Sequence, residues 1–301
     1  MKKGKIVLIA LAAVIAAVGI GFGIYSAVTT VNFGEIVIDG IPVKSAEATR
    51  VMSFNVRCVS DPEGSVKNRS KIVKAIIEQY APDSFGVQEA TGKWMDILDS
   101  ALSEKYASVG EPRDDAGYFS EYSSVFYLKD KYNLIDSGTI WLSETPEVKN
   151  TKSFDSACYR IAVWAVLENK ETGERYTHLN THLDHVLEET RVGQIKVFID
   201  KLNVLQKDGT VICTGDFNTY KTGKVYAEML KSADDVRLTA KNTDDGITFH
   251  NYGKIEEHEE GAIDFIFATK GTEVETYKII RNTVKDMYPS DHYPIVADVI
   301  L

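Results

Sequence analysis

The sequence predicts a single α/β or α+β domain over residues 49–301, preceded by an apolar N-terminal segment. Short apolar runs of strand length recur from Val51 to Leu301, and stretches with helical periodicity lie between several of them. No fixed-period repeat and no low-complexity linker interrupts this pattern after residue 50, which favours one catalytic domain. The hydrophobic content of 44% and the charged content of 26% are ordinary for a globular protein with a buried core.

The first thirty residues have the composition of a membrane signal. Lys2, Lys3 and Lys5 precede a run from Ile6 to Val28 that contains no charged residue. About 20 apolar residues suffice to cross a bilayer, and no clear A-x-A cleavage site follows the run. We therefore expect an uncleaved signal-anchor over residues 1–30, which leaves the lysines inside and exports the rest on a single-pass membrane protein. A cleaved signal peptide, which would give a secreted protein, is the alternative.

Charge and cysteine content narrow the function further. Without residues 1–30, the chain has 31 basic and 44 acidic residues and a net charge of −13. Strong binding of duplex DNA is therefore not expected, because tight non-specific binding of polyanions requires clustered Lys and Arg. The three cysteines, Cys58, Cys158 and Cys213, lie in apolar or strand-like contexts. We expect buried free thiols and no disulfide framework.

The first predicted elements follow from alternation and helical spacing. Residues 31–48 predict a tether and a first strand, because Glu35–Asp39 alternates between apolar and polar side chains. The helix predicted at Ser65–Tyr80 has apolar residues at helical spacing, and Pro82 ends it. The other elements predicted here are strands at Val51–Arg57 and Ser84–Glu89 and a helix at Trp94–Ala101.

From Tyr118 onward the pattern changes mainly to strands. A hairpin turn is predicted at Thr172-Gly173, and the apolar spacing within Thr190–Leu205 predicts a helix. Residues 241–260 are polar and acidic and are predicted as a loop. Strands are predicted at Ser124–Leu128, Leu134–Leu142, Arg160–Leu167, Tyr176–Asn180, Val211–Gly215, Ala262–Ala268 and Ile295–Leu301, with a short helix at Val225–Leu230.

The most informative stretch is Val211–Asn218, an apolar run that ends and releases Asp216 and Asn218. Alternation along an extended chain places these two side chains on the same side. A carboxylate can hold a hard cation, and an amide can donate to a phosphate or water oxygen. An Asp-x-Asn sequence after a strand is also a common turn, so this pair alone does not establish a site.

Further polar clusters have the same form, since each lies at or just past the end of a strand-like run. They are Asn55, Gln88-Glu89, Asn180–His185 and Asp291-His292. Asp264 lies within an otherwise apolar strand, and a buried unpaired carboxylate is so costly that it needs a histidine or arginine partner. Taken singly, Asn55 could be a hydrogen-bonded strand residue, Glu89 a helix N-terminal acid and His182 a satisfied strand histidine. Together the clusters predict one shared site suited to acid–base chemistry.

In this order, the same residues resemble the endonuclease/exonuclease/phosphatase superfamily. It includes pancreatic-type deoxyribonucleases, abasic-site endonucleases, secreted sphingomyelinases, inositol-polyphosphate 5-phosphatases and deadenylase catalytic domains. The motifs are Ser-Phe-Asn55-Val-Arg, Val-Gln-Glu89, Asn-Thr-His182-Leu, Gly-Asp216-Phe-Asn218, Ile-Asp264-Phe-Ile and Ser-Asp291-His292. The resemblance covers about Val51–Leu301. It implies two packed mixed β-sheets flanked by helices, a four-layer α/β/β/α sandwich, with the site where the strand ends meet.

The resemblance also implies a metal ion and a way of activating water. Glu89 would be the principal ligand of Mg²⁺ or Mn²⁺, and Asn55 and Asp291 would help to hold the ion. Asp216 would orient or deprotonate the attacking water, and Asn218 would steady the phosphate. Water would then attack phosphorus in line, without a covalent enzyme intermediate.

The remaining site residues would contact the phosphoryl group. His292, held in one tautomer by Asp264, would stabilise or protonate it. His182 would be a second imidazole at the phosphate, oriented by Glu121. Arg160 occupies a position where the family places an arginine on the phosphate, a role that suits a bidentate guanidinium.

These features predict a monomeric, metal-dependent phosphoester hydrolase, with a phosphodiester favoured over a monoester. Nucleic acid, phospholipid and small phosphodiesters stay open as substrates, and an inactive binding module is a remote alternative. Deoxyribonucleases of the family have an arginine after the metal glutamate, whereas Ala90-Thr91-Gly92 follows here. The acidic loop Thr243–Gly261 should lie near the site and repel duplex DNA. Phe249-His250 and Tyr252 in that loop could stack on a base or cover a small head group.

Overall fold

The computed structural model of the chain describes residues 30–301. Within that range, no helix is both long enough and apolar enough to cross a membrane. The signal-anchor predicted over residues 1–30 lies, apart from Thr30, outside the described residues. The strand predicted at Glu35–Asp39 is wrong. Instead, this segment lies against a helix, because Ile38 N–H donates to Gln79 Oε1 (2.9 Å) and Gln79 Nε2 donates to the Ile36 carbonyl (2.7 Å).

One six-stranded sheet contains the first strands of the domain. Its strands are β1 (Thr49–Asn55), β2 (Ser84–Gln88), β4 (Tyr106–Val109), β6 (Val125–Leu128), β13 (Glu273–Ile279) and β14 (Ile295–Ile300). They follow the order β13-β14-β1-β2-β6-β4. Only β1 and β2 run parallel, with Asn55 opposite Gln88, and every other pair in this sheet is antiparallel.

The second six-stranded sheet has the same plan. Its strands are β7 (Tyr132–Trp141), β8 (Ile161–Asn169), β9 (Arg175–His182), β10 (Thr210–Asp216), β11 (Ala233–Asp235) and β12 (Asp264–Thr269), in the order β11-β12-β10-β9-β8-β7. Its single parallel pair is β9 with β10, which sets His182 opposite Asp216. Strand β12 runs antiparallel to β10 and begins at Asp264, directly opposite Asp216. The hairpin predicted at Thr172-Gly173 joins β8 to β9.

Helices cover the outer faces, which confirms the predicted four-layer sandwich. They are α1 (Val66–Tyr80), α2 (Gly92–Leu102), α3 (Glu188–Leu205), α4 (Lys224–Ser232) and the short α5 (Val236–Thr239). One apolar cluster fills the space between the sheets, with Val51, Val163 and Ile212 fully buried. A second cluster packs the outer face of the second sheet against α3 and α4, with Phe198 and Phe217 edge to face.

Several short elements of the fold were not predicted from the sequence. They are β4, β11, β13, α5 and the two-stranded pair β3 (Ala90–Thr91) and β5 (Glu121–Tyr122). Strands β4, β11 and β13 each lie at an edge of a sheet, and they have only three to seven residues. Strands β4 and β11 are too short for alternation to show, and a bulge between Val274 and Thr276 interrupts it in β13, so periodicity does not identify them as strands. The pair β3–β5 matters for the site because it places Glu121 beside the residues that follow Glu89.

A buried polar chain joins the two sheets through His178. Its Nδ1 lies 2.7 Å from Ser84 Oγ in the first sheet, and its Nε2 lies 2.7 Å from Thr214 Oγ1 in the second. The Tyr176 hydroxyl also donates to Ser84 Oγ (2.9 Å). Burial lowers the pKa of His178 to about 3, so the imidazole stays neutral in the folded protein.

The neutral His178 predicts acid sensitivity. Its folded-state pKa lies below the unfolded value, so the unfolded chain gains a proton first and the free energy of unfolding falls as pH drops below about 6.5. Between pH 7.5 and 5.5 this one group should account for about 1.4 kcal/mol of lost stability. In urea titrations, the difference between these two pH values should shrink by that amount in His178→Gln.

His258→Gln is the matched control, because His258 is exposed. It should leave the pH difference at its wild-type value. An equal pH difference in His178→Gln and wild type would contradict a neutral buried His178.

Candidate active site

The ends of four central strands bring the site together. In each sheet the two parallel strands finish at the same edge, so β1 and β2 deliver Asn55 and Glu89 where β9 and β10 deliver His182 and Asp216. Asp264 joins them because β12 begins opposite the end of β10. The strand-end pattern seen in the sequence therefore corresponds to one edge of the sandwich.

Backbone conformation also directs side chains toward this edge. Arg57 (φ 60°), Glu89 (φ 57°), Asn218 (φ 48°) and Asn251 (φ 45°) are non-glycine residues in the left-handed region, and all four line the same cavity. Each such conformation costs about 1–3 kcal/mol and persists only where surrounding contacts enforce it. Arg57, Glu89 and Asn218 lie one or two residues past the ends of β1, β2 and β10, so the chain leaves each of these strands at the cavity.

The cavity encloses about 560 Å³. Its lining residues are Arg57, Cys58, Glu89, Arg113, Glu121, Cys158, Arg160, His182, His185, Asp216, Asn218, Tyr220, Phe249, Asn251, Ile263, Asp291 and His292. All but two of the residues predicted for the site are among them. The other two, Asn55 and Asp264, are buried behind the lining and bond to it.

Asn55 connects the acidic residues of the two sheets. Its Nδ2 donates to Glu89 Oε1 (3.1 Å) and to Asp216 Oδ2 (3.0 Å), and its Oδ1 accepts from Arg57 N–H (3.0 Å). The amide nitrogen thus faces Glu89. In this arrangement Asn55 orients the carboxylate that could hold a cation.

Glu89 and Asp291 form the side of the cavity that suits a cation. Burial opposes the charge on Glu89, but the Cys58 N–H donates to Oε2 (3.0 Å) and, with nearby cationic groups, holds the pKa of Glu89 below its ordinary value. Asp291 Oδ1 accepts from the Ser290 hydroxyl (3.2 Å). Burial raises the pKa of Asp291 above its ordinary value, whereas that of Glu89 is lowered. Carboxylate oxygens are the donors that hard divalent cations prefer.

A second acidic group contains a histidine that is unsuited to metal binding. Ligand atoms of Asp216, Asp264 and His292 lie within 4.8 Å of one another. However, His292 Nδ1 is 2.9 Å from Asp264 Oδ2, which supplies the partner that Asp264 was predicted to need. Burial disfavours the charged ring, yet Asp264 and the neighbouring acids outweigh it and raise the pKa of His292 to about 10. A protonated imidazole repels a metal ion and can donate a proton to an oxyanion.

Asp216 lies between the two imidazoles of the site. Its Oδ2 is 3.5 Å from His182 Nε2 and 3.8 Å from His292 Nε2, while its Oδ1 accepts the Asn218 N–H (3.0 Å). Burial, with the nearby Asp264 carboxylate, raises the pKa of Asp216 above its ordinary value. A carboxylate whose pKa moves toward neutrality is better able to take a proton from water.

The predicted contact between Glu121 and His182 is wrong. Glu121 instead accepts a bidentate pair of bonds from Arg113, at 2.7 and 3.0 Å, and these charge-assisted bonds are stronger than a contact to a neutral imidazole. Burial, reinforced by Arg160 and Arg113, lowers the pKa of His182 well below its ordinary value. Among the described residues, His182 Nδ1 and Arg160 Nε have no hydrogen-bond partner.

These two orphaned nitrogens mark the anion side of the cavity. Arg160 is buried, and its nearest side-chain contact is from Nη2 to His185 Nδ1 at 3.4 Å. A buried guanidinium without a carboxylate partner is costly unless an anion binds it. The cavity therefore combines carboxylates with two buried nitrogens, Arg160 Nε and His182 Nδ1, that have no partner among residues 30–301.

Sequence reasoning missed part of the lining. Arg57 is the last residue of the Asn55 motif and Cys58 follows it, so their position was available as a signal. Arg113 lies in an irregular loop after β4 and gave no signal. Of the three cysteines, all are free as predicted, but only Cys213 is buried, whereas Cys58 and Cys158 are half-buried at the cavity.

The acidic loop contributes less charge to the cavity than its sequence suggests. Phe249 and Asn251 reach the lining, as its predicted proximity implied. Asp244 and Asp245 are each paired with an arginine, Arg281 and Arg237 respectively. The other aromatic residues proposed as stacking groups lie elsewhere: His250 is buried against Tyr293, and the Tyr252 hydroxyl donates to Asp61 (2.6 Å).

Comparison with known proteins decides the family. Residues 52–292 match the endonuclease/exonuclease/phosphatase family. The chain belongs to that family. Its members are phosphoester hydrolases, and this chain is an enzyme of that class. No curated protein matches the chain.

Solved structures of the family share the whole catalytic domain with this chain. An endonuclease/exonuclease/phosphatase from Bacteroides vulgatus is 33% identical over 84% of this chain and 99% of that chain, with a TM-score of 0.78. A mannosyl-6-phosphatase from Bacteroides thetaiotaomicron is 28% identical over 84% of this chain and 100% of that chain, with a TM-score of 0.77. The human Nocturnin catalytic domain is 21% identical over 85% of this chain and 96% of that chain, with a TM-score of 0.64, and shares the fold.

The His292–Asp264 pair leads to a titration experiment on the family site. Asp264→Asn removes the carboxylate that contributes most to the raised pKa of His292, so that pKa should fall from about 10 toward the ordinary value. Titration of the histidine side chains by NMR, in EDTA, would measure the change. The control is Asp244→Asn, which removes a carboxylate bonded to Arg281 and should leave the pKa of His292 unchanged. A His292 pKa unaltered by Asp264→Asn would refute the assigned pairing.

Proposed function

We propose that this enzyme hydrolyses a phosphoester bond in a small substrate with the aid of a divalent cation, Mg²⁺ or Mn²⁺. One observation carries the proposal: the carboxylates of Glu89 and Asp291 and the unpartnered buried nitrogens of Arg160 and His182 line the same cavity. A cation at Glu89 and Asp291 and a phosphoryl oxygen at Arg160 would each find the partners their charge requires.

The residues of the chain divide the chemistry between them. Asp216, with its raised pKa, accepts a proton from the attacking water. His292, charged through Asp264, donates to the phosphoryl or leaving oxygen, and Arg160 holds the phosphoryl group. Glu89 and Asp291 would hold the cation, which when bound neutralises charge on the phosphoryl oxygens. The attack is in line, and no residue needs to form a covalent intermediate.

Substrate size follows from the shape and charge of the domain. A cavity of about 560 Å³ suits a small organic phosphate. The net charge of −13 outside residues 1–30 disfavours a polyanion such as duplex DNA. A small phosphodiester is our first candidate. A sugar phosphomonoester is the second, because a mannosyl-6-phosphatase is 28% identical over 84% of this chain.

We also propose that the catalytic domain is exported and tethered to the membrane by residues 1–30. Three lysines followed by the uncharged run from Ile6 to Val28 support this arrangement. Fractionation of the host cells, with protease added to intact spheroplasts, would test it. A full-length protein in the membrane fraction that the protease removes is the expected result, and a protected soluble protein would contradict it.

Three substitutions test the assigned chemistry. Glu89→Gln, Asp216→Asn and His292→Ala should each lower kcat by about 10²-fold or more, since acid–base and electrostatic groups typically contribute 10²–10⁴. Circular dichroism should remain that of the wild type. Glu78→Gln, on the outer surface of α1, is the matched control and should retain full activity. Full activity in Asp216→Asn would exclude its role in activating water.

A substrate panel identifies the branch. The full chain in detergent, stripped with EDTA, would be assayed with and without Mg²⁺ or Mn²⁺. The substrates are bis-p-nitrophenyl phosphate, p-nitrophenyl phosphate, mannose 6-phosphate, single-stranded DNA, RNA and sphingomyelin. We expect metal-dependent turnover, fastest on a small diester, while faster turnover of mannose 6-phosphate would favour the monoester candidate. No turnover of any substrate by a folded, metal-loaded protein would contradict the proposed function.

A further inference from the structure

Arg57 is a cavity residue whose backbone is held in an unfavourable conformation by several bonds. Its φ of 60° lies in the left-handed region. The Arg57 carbonyl accepts from Trp94 Nε1 (2.8 Å) and Arg69 Nη2 (3.1 Å), and its N–H donates to Asn55 Oδ1 (3.0 Å). Strained residues that neighbouring groups fix so completely are concentrated at functional sites. Three side chains, Trp94, Arg69 and Asn55, therefore fix the backbone from which the Arg57 guanidinium extends.

The guanidinium lies among three carboxylates. Arg57 Nε is 3.2 Å from Asp61 Oδ2 and 3.5 Å from Asp291 Oδ2, and Nη1 is 3.8 Å from Glu89 Oε2. Only the contact with Asp61 is a hydrogen bond. Asp61 is itself fixed by the Tyr252 hydroxyl at 2.6 Å. Arg57 thus sits beside Glu89 and Asp291 without bonding fully to either.

We propose that Arg57 sets how tightly the site holds its divalent cation, because the guanidinium and the cation share the charge of Glu89 and Asp291. This inference rests on the proposed metal-dependent function. A fixed positive charge next to two ligand carboxylates weakens their attraction for a second cation. Asp61, fixed by Tyr252, holds the guanidinium to one side. The guanidinium therefore weakens the binding of the cation without excluding it.

This arrangement predicts opposite effects from two neighbouring substitutions. Removing the Arg57 charge strengthens cation binding. Asp61→Asn weakens it, because the guanidinium loses its hydrogen-bonded partner and moves its charge onto Glu89 and Asp291, and because one negative charge is lost. A residue with a purely structural role would give weaker binding in both cases.

The experiment measures Mn²⁺ binding to the full chain in detergent at low salt. Isothermal titration calorimetry gives the Kd, and displacement by Mg²⁺ gives the Mg²⁺ affinity. Arg57→Gln should lower the Kd about tenfold or more, and the effect should shrink in 0.5 M salt. Arg57→Lys keeps the charge and should stay near the wild-type Kd. Glutamine and lysine are equally strained at φ 60°, so the two variants are matched in backbone cost.

The remaining variants separate failure of the inference from failure of the proposed function. The single substitution Glu89→Gln should weaken Mn²⁺ binding relative to the wild-type protein. If it does not, the proposed cation site is wrong. If Glu89-dependent binding is present but Arg57→Gln leaves the Kd unchanged or raises it, the inference about Arg57 is overturned. Equal tightening by Arg57→Lys and Arg57→Gln would also overturn it, since charge would not be the cause.

Discussion

The site depends on hydrogen bonds that cross from one sheet to the other. Asn55 at the end of β1 donates to Asp216 at the end of β10, and His292, which precedes β14, meets Asp264 at the start of β12. Each sheet alone would expose an acid without its partner. Because these side chains are buried, an unmatched charge would be costly, so the chemistry of the site constrains how the two sheets pack.

Polar ties continue from the site into the space between the sheets. Gln88, next to Glu89, donates to Asn180 Oδ1 at 2.7 Å, and Asn180 donates back to the Val87 carbonyl at 2.9 Å. His178 bridges Ser84 and Thr214 one layer deeper. Directional hydrogen bonds between buried side chains favour one relative placement of the packed layers, whereas apolar contacts alone tolerate sliding. The ends of the parallel strands are thereby fixed where the cavity needs them.

The sequence contained most of the fold and much of the site, because both depend on local signals. Alternation and helical spacing predicted the central strands and long helices. The positions of Glu89, Asp216 and His292 at or near strand ends identified them as one group. The misses have physical causes. Glu35–Asp39 alternates like a strand, but Gln79 satisfies its backbone. Glu121 was assigned to His182 because nothing in the sequence indicates that an irregular loop returns Arg113 to it.

Each sheet contributes its one parallel pair of strands to the site, and this has a consequence for how the enzyme can evolve. The first sheet and its loops supply Glu89 and Asp291, and the second supplies Asp216 and His182. The apolar layer between the two sheets, the seam, therefore separates the proposed cation ligands from the proposed base. Substitutions among the apolar residues in that seam, such as Val163, alter the spacing between the two half-sites without touching either. Rate and specificity can therefore change through substitutions in the apolar layer between the sheets, with every site residue kept.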